Sequence, residues 1–227
     1  GGGTADPTSG SDASGAVCEP VAGDQLVVLE DDKGLQNADN VIPAVNAAAA
    51  EADPGLVPLL DTVSEALDTD TLIALNKAVD IDRQTSSEAA AQFVEDEGLA
   101  ADDDSAGAGK SVVVGAANFS ESATLGEIYA AVLRSAGYTA EVQTIGNRET
   151  YLPALESGQI TLTPEYAATL AEFLNASANG PDAEPVASAD PDATVEALTA
   201  LGADAGLTFG AVSAAQDQNA FAVTSAF

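Results

Sequence analysis

The chain has 227 residues with 6 basic and 37 acidic side chains, a net charge of −31, no His and one Cys. Such a polyanion is a poor nucleic-acid ligand, because duplex binding relies on Lys and Arg that neutralise phosphates. Without His there is no Ser–His–Asp triad and no His-ligated metal, and one Cys cannot form a thiolate zinc site. We therefore expect neither nucleic acid nor a metal or cofactor. The acid excess fits a solvated surface, a field that attracts cations to a binding cleft, or both.

Composition divides the chain into four segments. Residues 1–20 are rich in Gly, Ser, Thr and Asp, which predicts a flexible tether. A second low-complexity stretch, AADDDSAGAGK at 100–110, predicts a linker between two ordered blocks, 21–99 and 111–227. Hydrophobic residues make up 46% of the chain, which argues against wholesale disorder.

The first block begins with an apolar run at 25–29, which predicts a short buried strand. An extended segment follows at 40–45, where Pro43 favours an edge or irregular strand. Helical spacing of apolar residues predicts three helices, at 55–67, at 70–79 after a cap at Thr69, and at 86–97 after a cap at Thr85 or Ser86.

The second block alternates strands and helices. Strands are predicted at 111–116, 141–145, 160–163, 207–212 and 219–224, and helices at 120–136, 148–157, 167–175 and 192–203. This alternation is typical of right-handed βαβ units, so we predict an α/β fold with a doubly wound, mostly parallel sheet. Such sheets bind ligands at the carboxyl ends of their strands.

Polar and aromatic side chains follow the first three strands of this block. The loops after these strands contain Asn118, Phe119, Ser120, Asn147, Arg148, Glu149, Tyr151, Tyr166 and Thr169. The positive ends of the helices that follow suit a carboxylate, and aromatic faces suit a quaternary ammonium group. Each residue taken singly is also explained as a helix cap or a core aromatic, but the concentration of all of them at one edge predicts a binding site.

The same segments resemble a known family. VVVGAANFSES at 112–122, LGEIY at 125–129, GNRE at 146–149 and PEY at 164–166 resemble the start of the glycine betaine/carnitine/choline-binding proteins, and VVLEDDKG at 27–34 resembles their carboxyl-terminal segment. The resemblance implies a lobe of a type II periplasmic-binding-protein-like fold. It also implies a non-enzymatic, substrate-binding component of an osmoprotectant ABC importer. The partners it implies are a small quaternary ammonium ligand and a membrane permease.

The order of the segments departs from that family. There, the block like 111–227 comes first, a second lobe follows, and the block like 24–99 comes last. We therefore expect a circular permutation, joined through 100–110. We further expect lobe I alone, with hinge strands at 25–29 and 220–224 and with lobe II absent.

The resemblance also implies roles for individual residues. Tyr166 would form one wall of an aromatic cage for the trimethylammonium group, and Thr169 would help to choose the ligand through its hydroxyl. Asn118 and nearby loop amides would face the ligand carboxylate or support the rim. The candidate ligand-binding residues are Tyr166, Thr169, Asn118, Phe119, Ser122, Asn147, Arg148, Asp39 and Asn40.

Two of these positions differ from the family pattern. Ser122 stands where Gln is usual, so a polar contact would be shortened or lost. Asp39 stands where an aromatic residue often precedes the Asn, here Asn40, although a carboxylate can also attract a cation. These departures keep a second hypothesis open, a sensing or interaction domain that retains the fold without transport.

Other features bear on chemistry and location. Four carboxylates could supply an acid–base pair, namely Glu121, Glu127, Glu149 and Glu165, but no nucleophile–base partner accompanies them, so no enzyme is expected. The Gly-rich start and Ser/Asp-rich tether resemble the region after the lipidated Cys of bacterial lipoproteins. This similarity predicts an extracytoplasmic monomer, lipid-anchored at the outer face of the membrane. Cys18 would pair with a partner outside the chain.

Overall fold

The computed structural model describes residues 26–217, 219 and 221–225. The predicted tether, Cys18, and the first residues of both predicted hinge strands, Gln25 and Ala220, lie outside the described residues. The chain divides into two units, one of which is Asp31–Asn219 and the other of which contains the remaining described residues.

The smaller unit is a two-stranded antiparallel ribbon. Strand β1 (Leu26–Val28) pairs with β7 (Ala222–Thr224), with Leu26 opposite Thr224. A buried strand was predicted here. The strand is present, but its predicted burial was wrong, because Leu26, Val27 and Val28 are 41%, 50% and 65% exposed. Among the described residues of this unit, β1 has only β7 as a neighbour and no helix covers either face.

The larger unit contains a five-stranded sheet and eight helices within its described residues. In chain order the elements are β2 (Val41–Asn46), α1 (Ala47–Ala52), α2 (Leu56–Ala66), α3 (Thr69–Asp80), α4 (Ser86–Asp96), β3 (Ser111–Ala116), α5 (Ser120–Ser135), β4 (Thr139–Thr144), α6 (Arg148–Glu156), β5 (Leu162–Tyr166), α7 (Ala167–Asn179), α8 (Pro191–Asp204) and β6 (Leu207–Phe209). All except α1 correspond to predicted elements.

The side chain of the N-cap residue caps four of the eight helices, namely α1, α3, α4 and α8. At α4 the capping box is complete, since the Thr85 hydroxyl accepts from the Glu88 amide and the Glu88 carboxylate accepts from the Thr85 amide. The predicted cap at Thr69 was wrong by one residue, because the Asp68 carboxylate accepts from the Thr71 amide at 2.8 Å. The unpredicted α1 begins at Ala47 and is capped by Asn46, whose side chain accepts from the Ala49 amide.

The sheet has the strand order β4-β3-β5-β2-β6. Strand β3 runs parallel to β4 and β5, and β2 runs antiparallel to β5 and β6. The predicted α/β class and mostly parallel sheet are therefore confirmed. The strand containing Pro43 was predicted to be an edge or an irregular strand, and the edge alternative was wrong, because β2 lies between two strands. Pro43 is tolerated because the register with β6 ends at Ala44, one residue short of the proline.

Helices cover both faces of this sheet. The first apolar cluster packs α2, α3, α4 and α5 on one face, and the second packs α6, α7 and α8 on the other. Strand β2 contributes side chains to both clusters, since Val41 and Val45 belong to the first while Ile42 and Ala44 belong to the second. The doubly wound arrangement is thus observed. The two predicted blocks build one sheet, because β2 of the first block pairs with strands of the second.

Residues 100–110 join α4 to β3 and are packed against the turn between α5 and β4. The Ala101 amide donates to Ser135 Oγ at 2.9 Å, and the Gly107 amide donates to the Ala136 carbonyl at 2.7 Å. Gly107 has no space for a side chain, since a Cβ there would lie 2.2 Å from Tyr138 Cδ2. The low-complexity composition predicted a linker, and the structure places that linker within the packed fold. No helix in the described part of the chain is long and apolar enough to cross a membrane.

Candidate functional site

The ends of β3, β4 and β5 meet at one open cleft of about 480 Å³, as expected for parallel strands whose carboxyl ends share an edge. We call it the rim cleft. Its lining residues are Asp39, Ala117, Asn118, Phe119, Ser122, Asn147, Arg148, Glu149, Tyr151, Tyr166, Thr169 and Asp217.

Eight of the nine candidate residues line this cleft, and Asn40 does not. The buried Asn40 side chain donates to the Ser213 carbonyl at 2.9 Å and accepts from Gln216 Nε2 at 3.3 Å. Its hydrogen bonds therefore hold β2 to the segment after β6, which is a structural role.

A buried ion pair forms the floor of the rim cleft. Arg148, the first residue of α6, donates through Nε and Nη2 to the two carboxylate oxygens of Glu165 at 3.0 and 2.7 Å. Glu165 has no exposed surface and also accepts from the Tyr151 hydroxyl at 2.6 Å. Burial disfavours the charged guanidinium, but its bonds to Glu165 outweigh that effect and raise the pKa of Arg148. Burial and the Glu165 charge both raise the pKa of Tyr151. The positive charge that Arg148 brings to the cleft is thus balanced by the buried Glu165 carboxylate.

Two aromatic rings form one wall. Phe119 and Tyr166 stack with ring centroids 6.4 Å apart and an interplanar angle of 28°, and Phe119 is 46% exposed. The Tyr166 hydroxyl donates to Glu121, whose other oxygen accepts from the Asn76 side chain. Burial, followed by the Glu121 carboxylate, raises the pKa of Tyr166. Tyr166 is therefore a neutral ring, held by its hydroxyl and only 7% exposed, that lines the cleft beside Phe119.

Asp39 reaches the cleft from the segment before β2 and caps a helix that belongs to a different part of the chain. Its Oδ1 accepts from the amides of Ala168 and Thr169 at 2.9 and 3.0 Å, in the first turn of α7. Burial raises the pKa of Asp39, while those two amides and the charge of Arg148 act in the opposite direction. Asp39 thus occupies the anion-binding end of α7.

Several predicted contact residues form the framework of the rim. The Ser122 hydroxyl accepts from the Ala117 amide at 2.8 Å and is only 2% exposed, so it is already engaged. The Asn118 amide donates to the Gly146 carbonyl at 2.9 Å, which joins the loops after β3 and β4. The Asn147 side chain accepts from the Thr150 hydroxyl at 2.9 Å. These bonds fix the loops and leave the exposed Asn118 side chain facing solvent.

The structure adds residues that the sequence pattern did not single out as ligand-binding. Asp217 lines the cleft and its amide donates to the Asp39 carbonyl at 3.1 Å, but it lies in an irregular segment without a motif. Glu121 and Glu165, two of the four carboxylates that could supply an acid–base pair, are bonded to Tyr166 and Arg148. Among the described residues, no cluster of His, Cys, Asp and Glu is arranged to hold a metal ion.

Comparison with known proteins identifies the family. The sequence model of OpuAC, the substrate binding domain of ABC-type glycine betaine transport systems, matches residues 21–96 and 110–227. The chain belongs to this family. The resemblance inferred from the sequence is confirmed, and the mostly parallel α/β sheet agrees with the periplasmic-binding-protein-like fold that it implied.

Two individual proteins are similar over parts of their length. A glycine-betaine-binding protein of Pseudomonas aeruginosa is 39% identical over 87 residues, which are 38% of this chain and 28% of that protein. The chain thus matches less than a third of this relative's length. A substrate binding protein from Microbacterium hydrocarbonoxydans, crystallised with 4-hydroxybenzoate hydrazide, has a TM-score of 0.36 and 16% identity, covering 89% of this chain and 47% of that one.

Proposed function

We propose that the rim cleft binds the cationic head of a quaternary ammonium osmolyte of the glycine betaine, choline or carnitine type. The chain would act as the extracytoplasmic substrate-binding component of an ABC importer. It would capture the ligand without chemical change and release it to a membrane permease.

One observation carries this proposal, the stacked Phe119–Tyr166 wall in a cleft lined by carboxylates. A quaternary ammonium group has no N–H to donate, so it is recognised through aromatic faces and nearby negative charge. The cleft supplies both, because Asp39, Glu149 and Asp217 line it beside the two rings. Its cation, Arg148, is already paired with Glu165.

Family membership supports the same role, because the matched family is defined by glycine betaine transport. The proposal includes a circular permutation joined through residues 100–110, because 112–122 resembles the start of the family and 27–34 resembles its carboxyl-terminal segment. The join would lie away from the cleft, beside Tyr138. Lipid anchoring at the outer face of the membrane and a monomeric state belong to this proposal.

The test is isothermal titration calorimetry of the chain with choline, glycine betaine, carnitine and proline betaine. We expect saturable heat with at least one of the four, in one-to-one stoichiometry. Proline and potassium glutamate serve as solutes without a quaternary ammonium group, and they should give only heats of dilution. If none of the four quaternary ammonium compounds binds, the proposed function is wrong.

A further inference from the structure

We propose that the rim cleft selects monocationic quaternary ammonium ligands, such as choline, over zwitterions that carry a carboxylate, such as glycine betaine. Asp39 is the residue that sets this selectivity. The inference rests on the proposed function and narrows its ligand class.

The guanidinium that lines the cleft already has a carboxylate partner within the protein. A ligand carboxylate is normally held by a guanidinium or by the amides at a helix N-terminus. Arg148 makes two bonds to the fully buried Glu165, and its Nη2 also donates to Thr169 Oγ1 at 2.9 Å. A ligand carboxylate at the Nε edge would have to displace Glu165, which would then be buried without its counter-charge. Elsewhere on the guanidinium it would meet a positive charge that Glu165 already balances.

Acidic residues of the protein lie at the N-termini of the helices that begin at the cleft. Three helices begin at the cleft, and each has a carboxylate of the protein at its first turn. Asp39 accepts from two amides of α7, Glu121 lies in the first turn of α5, and Glu149 lies in that of α6. The amides at the positive end of α7 are therefore already bound by Asp39. At α5 and α6 no side chain caps the amides, but the acidic residue in the first turn opposes a ligand carboxylate through its charge.

The side chains that surround the aromatic wall carry mostly negative charge. Asp39, Glu149 and Asp217 line the cleft, and the Asp217 amide is bonded to the Asp39 carbonyl, which keeps these two acidic residues adjacent. This arrangement attracts a cationic head and repels an anionic tail. Choline carries the head with a neutral hydroxyl, whereas glycine betaine brings a carboxylate of the same sign as the wall.

Asp39 allows a clean test because Asp39→Asn removes the charge and keeps an Oδ1 that accepts from the Ala168 and Thr169 amides. The matched control is Asp190→Asn. Asp190 likewise caps a helix, accepting from the amides of Asp192 and Ala193 at the start of α8, and it is not among the residues that line the cleft.

The experiment is calorimetric titration of the wild-type chain and both variants with choline and with glycine betaine at one salt concentration. We expect the wild type to prefer choline about tenfold, the effect of roughly one partly screened unit charge. In Asp39→Asn this preference should fall to about threefold or less, with glycine betaine binding more tightly. Asp190→Asn should keep the wild-type ratio.

The outcomes separate this inference from the proposed function. If glycine betaine binds as tightly as choline, or if Asp39→Asn leaves the ratio unchanged, the selectivity inference is overturned while the proposed function stands. If neither these two ligands nor carnitine or proline betaine binds, both are overturned.

Discussion

Arg148 and Glu165 are joined at two points, Nε to Oε1 at 3.0 Å and Nη2 to Oε2 at 2.7 Å, and Glu165 is completely buried. Because Arg148 begins α6 and Glu165 lies in β5, the pair fixes the loop after β4 to the strand that carries Tyr166. The geometry of the aromatic wall therefore depends on an ion pair beneath it.

Glu165→Gln should lower the free energy of unfolding by about 3 kcal/mol, because it leaves the largely buried Arg148 charge without its partner. Urea denaturation measures the change. The control is Glu149→Gln, which removes the exposed carboxylate that follows Arg148 in α6 and should change stability by no more than about 0.5 kcal/mol. Equal effects of the two substitutions would show that the ion pair contributes nothing beyond surface charge.

Asp39→Asn should leave the protein at least as stable as the wild type at neutral pH. Burial raises the pKa of Asp39, so the folded state holds its proton more firmly than the unfolded state does. Wild-type stability therefore falls as pH rises through the pKa of Asp39, and the variant lacks that loss. The difference should vanish below about pH 4, where both states of the wild type are protonated.

Thermal melts of both proteins between pH 3 and 7 measure this effect. If Asp39→Asn is clearly less stable than the wild type at pH 7, the prediction is wrong. The interaction of the Asp39 charge with α7 would then outweigh the cost of burying that charge.

Gly107→Ala should destabilise the fold by about 1–3 kcal/mol, because the added methyl group would overlap Tyr138. The overlap includes the backbone nitrogen of Tyr138 at 2.4 Å, which a rotamer change cannot relieve. Ala108→Ser, at the exposed neighbouring position, is the control and should be close to neutral. If both substitutions are neutral in urea denaturation, residues 100–110 are a loose linker and not part of the packed fold.

The position of the site followed from the sequence because parallel strands place their carboxyl ends at one edge. Strand β3 was predicted with its observed bounds, and the loops after β3, β4 and β5 meet in one cleft as expected. The cap predicted at Thr85 or Ser86 is observed at Thr85, whose partner Glu88 lies only three residues away.

Contacts between distant parts of the chain could not be predicted in this way. Val41 pairs with Tyr166, and Asp39 caps α7, although 129 residues separate Asp39 from Ala168. Local propensity carries no information on such pairs. The packing of 100–110 was missed for a related reason, because Gly and Ala suggest a linker unless the close approach of Gly107 to Tyr138 is known.

The Tyr166 ring and its hydroxyl should contribute separately to ligand affinity. Tyr166→Phe keeps the ring but removes the bond to Glu121, and we expect affinity to fall about two- to fivefold. Tyr166→Leu removes the ring, and affinity should fall at least about tenfold. The control is Tyr138→Phe, which removes a hydroxyl bonded to Asp53, outside the cleft lining.

Calorimetric titration with the tightest-binding quaternary ammonium ligand measures all three variants, with urea denaturation as a check on folding. If Tyr166→Leu folds and binds like the wild type, the aromatic wall is not the binding surface.

The most direct test of whether the rim cleft recognises a positive charge compares the affinities of choline and 3,3-dimethylbutanol. The latter is a neutral analogue in which carbon replaces the quaternary nitrogen. Both have nearly the same shape and apolar area, so hydrophobic contact alone would bind them equally. Recognition by the Phe119–Tyr166 wall and the surrounding carboxylates requires the positive charge. We predict that choline binds at least about tenfold more tightly than the neutral analogue and that its advantage shrinks as salt increases. Equal affinities for the two compounds, or no binding of choline or any other quaternary ammonium ligand, would contradict the account.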